Sequence, residues 1–89
     1  MAYKKDPNAV LDYTFDWTAY LTPLVDTIST VTWFVTGGVT VSTQSHTVTT
    51  ATAFVSGGTA GVDAGLTCRI VTVNGRTDDR SIVLKIVER

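Results

Sequence analysis

The 89 residues contain one cysteine, Cys68, so no intrachain disulfide can form. The chain folds in a reducing compartment or does without bridges, and synthesis in the cytoplasm is expected. Glutamate, glutamine and methionine each occur once and lysine three times, which removes most of the residues that fill helices. Charged residues are only 17% and the formal net charge is −1, so there is neither a basic field to hold a nucleic-acid backbone nor an acidic tail. No apolar run approaches the roughly 18 to 20 residues of a membrane span. The opening stretch, Met1 to Asn8, lacks the apolar core of a secretory signal. Neither nucleic acid nor a membrane is an expected partner.

Reactive groups are equally sparse. His46 is the only histidine and sits in a polar stretch, Thr43 to His46, that reads as a turn tip rather than a place where a base meets a nucleophile. Cys68 shares a strand phase with Leu66 and Ile70, which marks it as a core thiol. Asp12 and Asp16 fall four apart on a strand, about 13 Å, too wide to share a proton. No cysteine and histidine cluster has zinc spacing, and Asp63, Asp78 and Asp79 do not form the alternating ligand loop of a calcium site. Gly37-Gly38 and Gly57-Gly58 match no phosphate-binding loop and read as turns. The expectation is a non-enzymatic protein with no catalytic residue, cofactor or metal.

What is abundant is β-branched: 17 Thr, 13 Val and 4 Ile account for 34 of the 89 residues. Leu11, Tyr13, Phe15 and Trp17 alternate with Asp12, Thr14 and Asp16, which is the clearest strand. Ala19 to Leu24 has no period and contains Pro23, so it is read as a crossing between sheets. In the run from Thr27 to Val35, Val31, Trp33 and Val35 share a face while Ile28 is out of phase, and a bulge near Ser29 or Thr30 reconciles them. Val39 to Ser42 and Thr47 to Ser56 follow as strands. Leu66 to Val73 meets Asn74-Gly75, the dipeptide suited to a type I′ turn, and a hairpin with the last strand, Arg80 to Val87, is predicted. That strand sends Ile82, Leu84 and Ile86 inward.

One domain is all that this length supports. The fold expected is all-β, a single immunoglobulin-like β-sandwich of six or seven antiparallel strands over residues 10–89, with a small OB-like barrel as the alternative. Residues 1–9 are polar and hold Pro7, so they are expected to form an extended arm. Between Asp26 and Asp63 lie 36 consecutive residues without a charge, an unusual surface for a lone monomer and one that partner subunits can cover. The candidate partner contacts are Tyr3, Lys4 and Lys5 on the arm, Tyr20 in the crossing, and Arg76, Asp78, Asp79 and Arg80 in the densest charged patch. The plainer reading of that patch is mutual pairing at the surface, which contributes little.

Two segments carry a family resemblance. Lys5-Asp6-Pro7-Asn8-Ala9-Val10-Leu11-Asp12-Tyr13-Thr14-Phe15-Asp16-Trp17 is one. The other runs from Ser56-Gly57-Gly58-Thr59-Ala60-Gly61 through Arg69-Ile70-Val71-Thr72 to Asn74-Gly75-Arg76-Thr77-Asp78-Asp79-Arg80-Ser81. In order and spacing they resemble the fiber–tail adaptor proteins of tailed phages and prophages. The resemblance implies a virion structural protein at the neck, tail or baseplate, made in the host cytoplasm. It also implies several copies in a ring and contacts with other tail, neck or fibre proteins. It carries no catalytic residues. The sequence departs from the family pattern at Thr36-Gly37-Gly38-Val39, where a Pro-containing turn is expected. The competing readings are an adhesive or carbohydrate-binding sandwich and a capsid decoration protein.

Overall fold

The computed structural model describes residues 2–87. Met1 of the expected arm and residues 88–89 of the expected domain lie outside them. The chain is all-β apart from one short helical connector. Its strands are β1 (Ala2–Lys5), β2 (Leu11–Asp16), β3 (Ile28–Val35), β4 (Val39–His46), β5 (Thr50–Gly57), β6 (Asp63–Thr72) and β7 (Thr77–Ile86). A four-residue helix α1 (Thr18–Leu21) and a 3-10 turn (Thr22–Leu24) join β2 to β3. One sheet has the order β1-β7-β6-β3 and the other β2-β5-β4.

The alternation of the sequence explains which faces meet. Along β7, Ile82, Leu84 and Ile86 are buried while Ser81, Val83 and Lys85 face outward. Along β6 the buried set is Ala64, Leu66, Cys68, Ile70 and Thr72, and along β5 it is Ala51, Ala53 and Val55. These inward faces close on Phe15, Trp17 and Leu21, so the core lies between the two sheets. The out-of-phase Ile28 is accommodated as its position requires: the β3–β6 register shifts between Ile28 and Thr30. The Asn74-Gly75 segment joins β6 and β7 as an antiparallel hairpin, but not by the expected type I′ turn: Gly75 has φ 90° while Asn74 does not have positive φ, and the Thr72 N–H donates to the Arg76 carbonyl at 2.8 Å across a three-residue loop.

Two further expectations differ from the structure. The segment read as an arm is extended over Ala2–Lys5, but it is paired with Val83–Ile86 as strand β1. That pairing is parallel, so the strands are not all antiparallel. Its anchor is Lys5, whose side chain is fully buried and whose Nζ donates to the Gly57 carbonyl at 2.7 Å and the Asp6 carbonyl at 3.0 Å. The amine finds acceptors where the aliphatic stem fills the core, which polarity alone does not reveal. Lys5 is therefore an internal residue rather than a surface contact. Second, Thr43 to His46 is not a turn tip. It continues β4, an edge strand whose outer flank faces water, so polar residues there are compatible with pairing to β5. The turn itself is Thr47–Thr49, closed by the Thr47 hydroxyl accepting from Thr50 N–H at 3.0 Å.

The Gly37-Gly38 turn is where the sequence departs from the family pattern. Both residues have positive φ, 78° and 84°, a region closed to proline. A Cβ on Gly37 would stand 2.6 Å from the Ala64 Cα, so β3 turns into β4 against the backbone of β6.

Because β1 supplies a buried lysine and one edge of the larger sheet, deleting residues 1–5 should lower Tm by about 10 °C or more and increase aggregation through the exposed β7. Circular dichroism melts check this. An unchanged melt would return the segment to the status of a loose arm.

Candidate functional site

The two segments singled out in the sequence meet in space. β2 ends at Asp16, whose carboxylate accepts from the Thr18 N–H at 2.8 Å and from the Thr18 hydroxyl, turning the chain into α1. Trp17 stands at that turn, fully buried, with its N–H donating to the Thr49 carbonyl at 2.9 Å. Its indole Nε1–H donates to Asp78 Oδ2 at 3.0 Å. The Arg80 guanidinium lies over the Trp17 ring at 4.9 Å and donates to the Asp16 carbonyl at 2.7 Å. Phe15 stacks on Trp17, centroids 6.0 Å apart, and meets Trp33 edge-on at 5.7 Å.

A second polar clasp holds the same end. The Asp26 side chain is wholly buried, and the Arg76 guanidinium donates to its Oδ2 at 2.8 Å. Its Oδ1 accepts from the Thr27 N–H at 2.9 Å and the Asn74 N–H at 3.3 Å. Burial pushes the Asp26 carboxyl up, but hydrogen bonds from Thr72, Arg76, Thr27 and Asn74 outweigh it and hold the group below 3.8. On the surface, Asp79 accepts two bonds from Arg69 at 2.8 and 2.9 Å, and Arg69 also covers the exposed Phe34 at 4.9 Å.

The structure thus gives Arg76, Asp78, Asp79 and Arg80 partners within the chain, and none of those partners is a neighbour in sequence. The pairings of Arg76 with Asp26 and of Asp78 with Trp17 span 50 and 61 residues, so no local signal announces them. Tyr3, Lys4 and Tyr20 are exposed. Tyr3 packs its ring on Tyr13 at 5.7 Å, while Lys4 points away from the core.

Two surface features were not anticipated. One is an apolar end. The turns at Thr47–Thr49 and Val73–Arg76 meet the β2–β3 connection through Ile28 N–H to the Val48 carbonyl at 2.8 Å and Val73 N–H to the Thr27 carbonyl at 2.9 Å. Val25, Val48 and Val73 are there 88%, 61% and 67% exposed, and Val25 is held at φ 51°, a strained region for a β-branched residue. The other is a groove of about 390 Å³ between β2 and β7, lined by Tyr3, residues 12–16 and residues 80–82. Among the described residues no three His, Cys, Asp or Glu side chains are grouped to hold a metal. Among the same residues no helix is long and apolar enough to cross a membrane.

Two predictions arise from these environments. Hydrogen bonds from Thr18 lower the Asp16 carboxyl, those from Arg69 lower Asp79, and Asp26 is lowered as described. In each case the unfolded chain binds more protons, so stability is full above the unfolded value near 4 and is lost as pH falls through the lower folded values. Tm should be flat from about pH 8 to 5 and fall below about pH 4. Asp26→Asn should lower Tm by about 5 to 10 °C at neutral pH and flatten the acid limb. Cys68 is the second case. Burial, with the charge of Asp79 behind it, pushes its thiol up to about 12. It should resist a thiol reagent at pH 8 in the native protein and react at once in guanidinium. Ready labelling of the native chain would show that β3 and β6 open.

Comparison with curated proteins yields no match. Comparison with known families matches residues 5–85 to the podophage GP4 fiber-tail adaptor protein gp77. The match begins at the buried Lys5 and ends inside β7, so it takes in both clasps and nearly all of the core. By that span the chain belongs to this family of phage tail structural proteins.

Proposed function

We propose that the protein is a non-enzymatic adaptor that links neighbouring proteins of the phage neck, tail or baseplate, and that its apolar end is one of the surfaces through which it does so. Family membership supports the adaptor role, and the exposure of three valines on connections tied together by backbone hydrogen bonds is the observation that carries the choice of surface. Val25, Val48 and Val73 come from three different connections, all tied together by backbone hydrogen bonds. A fixed apolar surface of this kind suits a partner that removes it from water. The strain at Val25 points the same way, since asparagine or glycine would hold that backbone more easily.

Tyr20, exposed on α1 beside this end, is a contact residue in the same reading, and Tyr3 and Lys4 belong to contacts made along β1. The immunoglobulin-like reading of the sandwich is part of the proposal, and it is supported by an antiparallel sheet of β3, β6 and β7 facing β2, β5 and β4, with β1 at the edge of β7. A ring of copies is part of the proposal. It is supported by the uncharged stretch between Asp26 and Asp63, whose β4 edge exposes threonine, serine and glutamine to a neighbour.

The test replaces Val25, Val48 and Val73 with asparagine, singly and together. The expected outcome is a Tm equal to or above the parent for Val25→Asn, and a drop of about tenfold or more in incorporation of the triple variant into tails. Full incorporation of a folded triple variant would remove this end from the interface.

A further inference from the structure

The groove between β2 and β7 lies where the sandwich is one strand short. Among the described residues, β1 covers only Val83–Ile86 on the outer side of β7 (Thr77–Ile86), and Thr77–Ile82 pairs with β6 alone. Among the same residues β2 pairs only with β5. Two free strand edges therefore flank one groove, and Tyr3 stands where β1 stops. The six uncovered residues of β7 correspond to about 20 Å of extended chain. Backbone donors and acceptors along such an edge call for an extended polypeptide before any other ligand.

The side chains narrow the choice. The Tyr13 hydroxyl is buried and has no hydrogen-bond partner among the described residues, a condition that an added strand can relieve. Phe15 and Ile82 form an apolar floor. Asp12 and Asp16 stand on the β2 side, and Asp12 takes part in no ion pair among the described residues. Arg80, the cation of the groove, is already committed to the Trp17 ring and the Asp16 carbonyl. The groove thus keeps an excess of negative charge beside an apolar floor.

We propose that this groove receives an extended segment of a neighbouring virion protein, which adds as a strand collinear with β1, pairs with Thr77–Ile82, and presents apolar side chains to Phe15 and a lysine or arginine to Asp12. The inference rests on the adaptor reading and adds to it the kind of partner and the mode of attachment. It uses a surface separate from the valine end.

Amide hydrogen exchange tests it, measured on the purified chain over a range of concentrations and on tails that contain the chain. The expected result is fast exchange at the outward-facing amides of residues 11–16 and 77–82 in the free chain and at least tenfold slowing of both sets in tails. Slow exchange in the dilute free chain would show that the edges are already covered and overturn the proposal. Slowing that appears with concentration alone would assign the groove to a second copy and overturn it as well. Tails that hold the chain with both edges still exchanging freely would overturn strand addition while leaving the adaptor reading intact. Tails that lack the chain would overturn both. Asp12→Lys provides the residue-level check: Tm should stay within about 2 °C and incorporation should fall about tenfold, and unchanged incorporation would overturn the assignment of Asp12.

Discussion

Trp17 is the residue on which the rest of the structure depends. It stands where β2 stops and the connector to the other sheet begins, so whatever fixes it fixes the spacing of both sheets. Truncating a buried tryptophan costs about 3 to 5 kcal/mol, whereas a domain of this length has a total stability of only roughly 4 to 13 kcal/mol. One side chain thus holds a large part of the margin. Its polar atom is satisfied by Asp78 and its ring face by Arg80, both from β7 in the opposite sheet. The Asp26–Arg76 pair then ties the far end of the same connector to the β6–β7 turn. With no disulfide available, these two clasps do the cross-linking that a small domain needs beyond its core.

This changes what the two motif-bearing segments mean. Lys5 is buried against Gly57, and Asp6 closes the Pro7 turn by accepting from the Asn8 N–H at 2.8 Å. Asp16 turns the chain into α1 by accepting from the Thr18 N–H, Trp17 fills the core, and Arg76, Asp78 and Arg80 hold the connector in place. The residue types that read as a polar rim are mostly the internal fastenings of the sandwich. A buried carboxylate or lysine is tolerated only where its hydrogen bonds are supplied, which makes such positions demanding of sequence. An exposed surface is under no such geometric demand from the fold.

Sequence reasoning captured those features that depend on nearest neighbours. The alternation of β2, the inward set Ile82, Leu84 and Ile86, the Asn74-Gly75 hairpin, the bulge after Ile28 and the buried Cys68 are all written in local phase and turn chemistry. It failed where a residue is read correctly only with its distant partner in view. Lys5 looks like a solvated cation until Gly57, 52 residues on, provides an acceptor. Arg76 looks like a rim charge until Asp26 is seen beneath it. The polar run at Thr43–His46 looks like a loop because a strand on the edge of a sheet has no neighbour to demand an apolar side chain. The exposed valines carried no signal at all, since valine in a β-rich sequence reads as core.

The same edge argument shows how a sandwich with so few charges limits strand pairing at its edges. β4 closes one side of the smaller sheet with threonine, serine, glutamine and histidine and with a register shift between Val41 and Thr43, both of which discourage flat pairing with another strand. On the opposite side β2 carries Asp12 and Asp16, and β7 is half covered by β1. The two flanks of the smaller sheet are therefore unequal: the β4 edge is bulged and uncharged, whereas the β2 edge beside the groove keeps an unbroken register with β5 and is acidic. Of these two flanks an added strand meets less resistance along β2, and the two carboxylates there favour one with a basic residue.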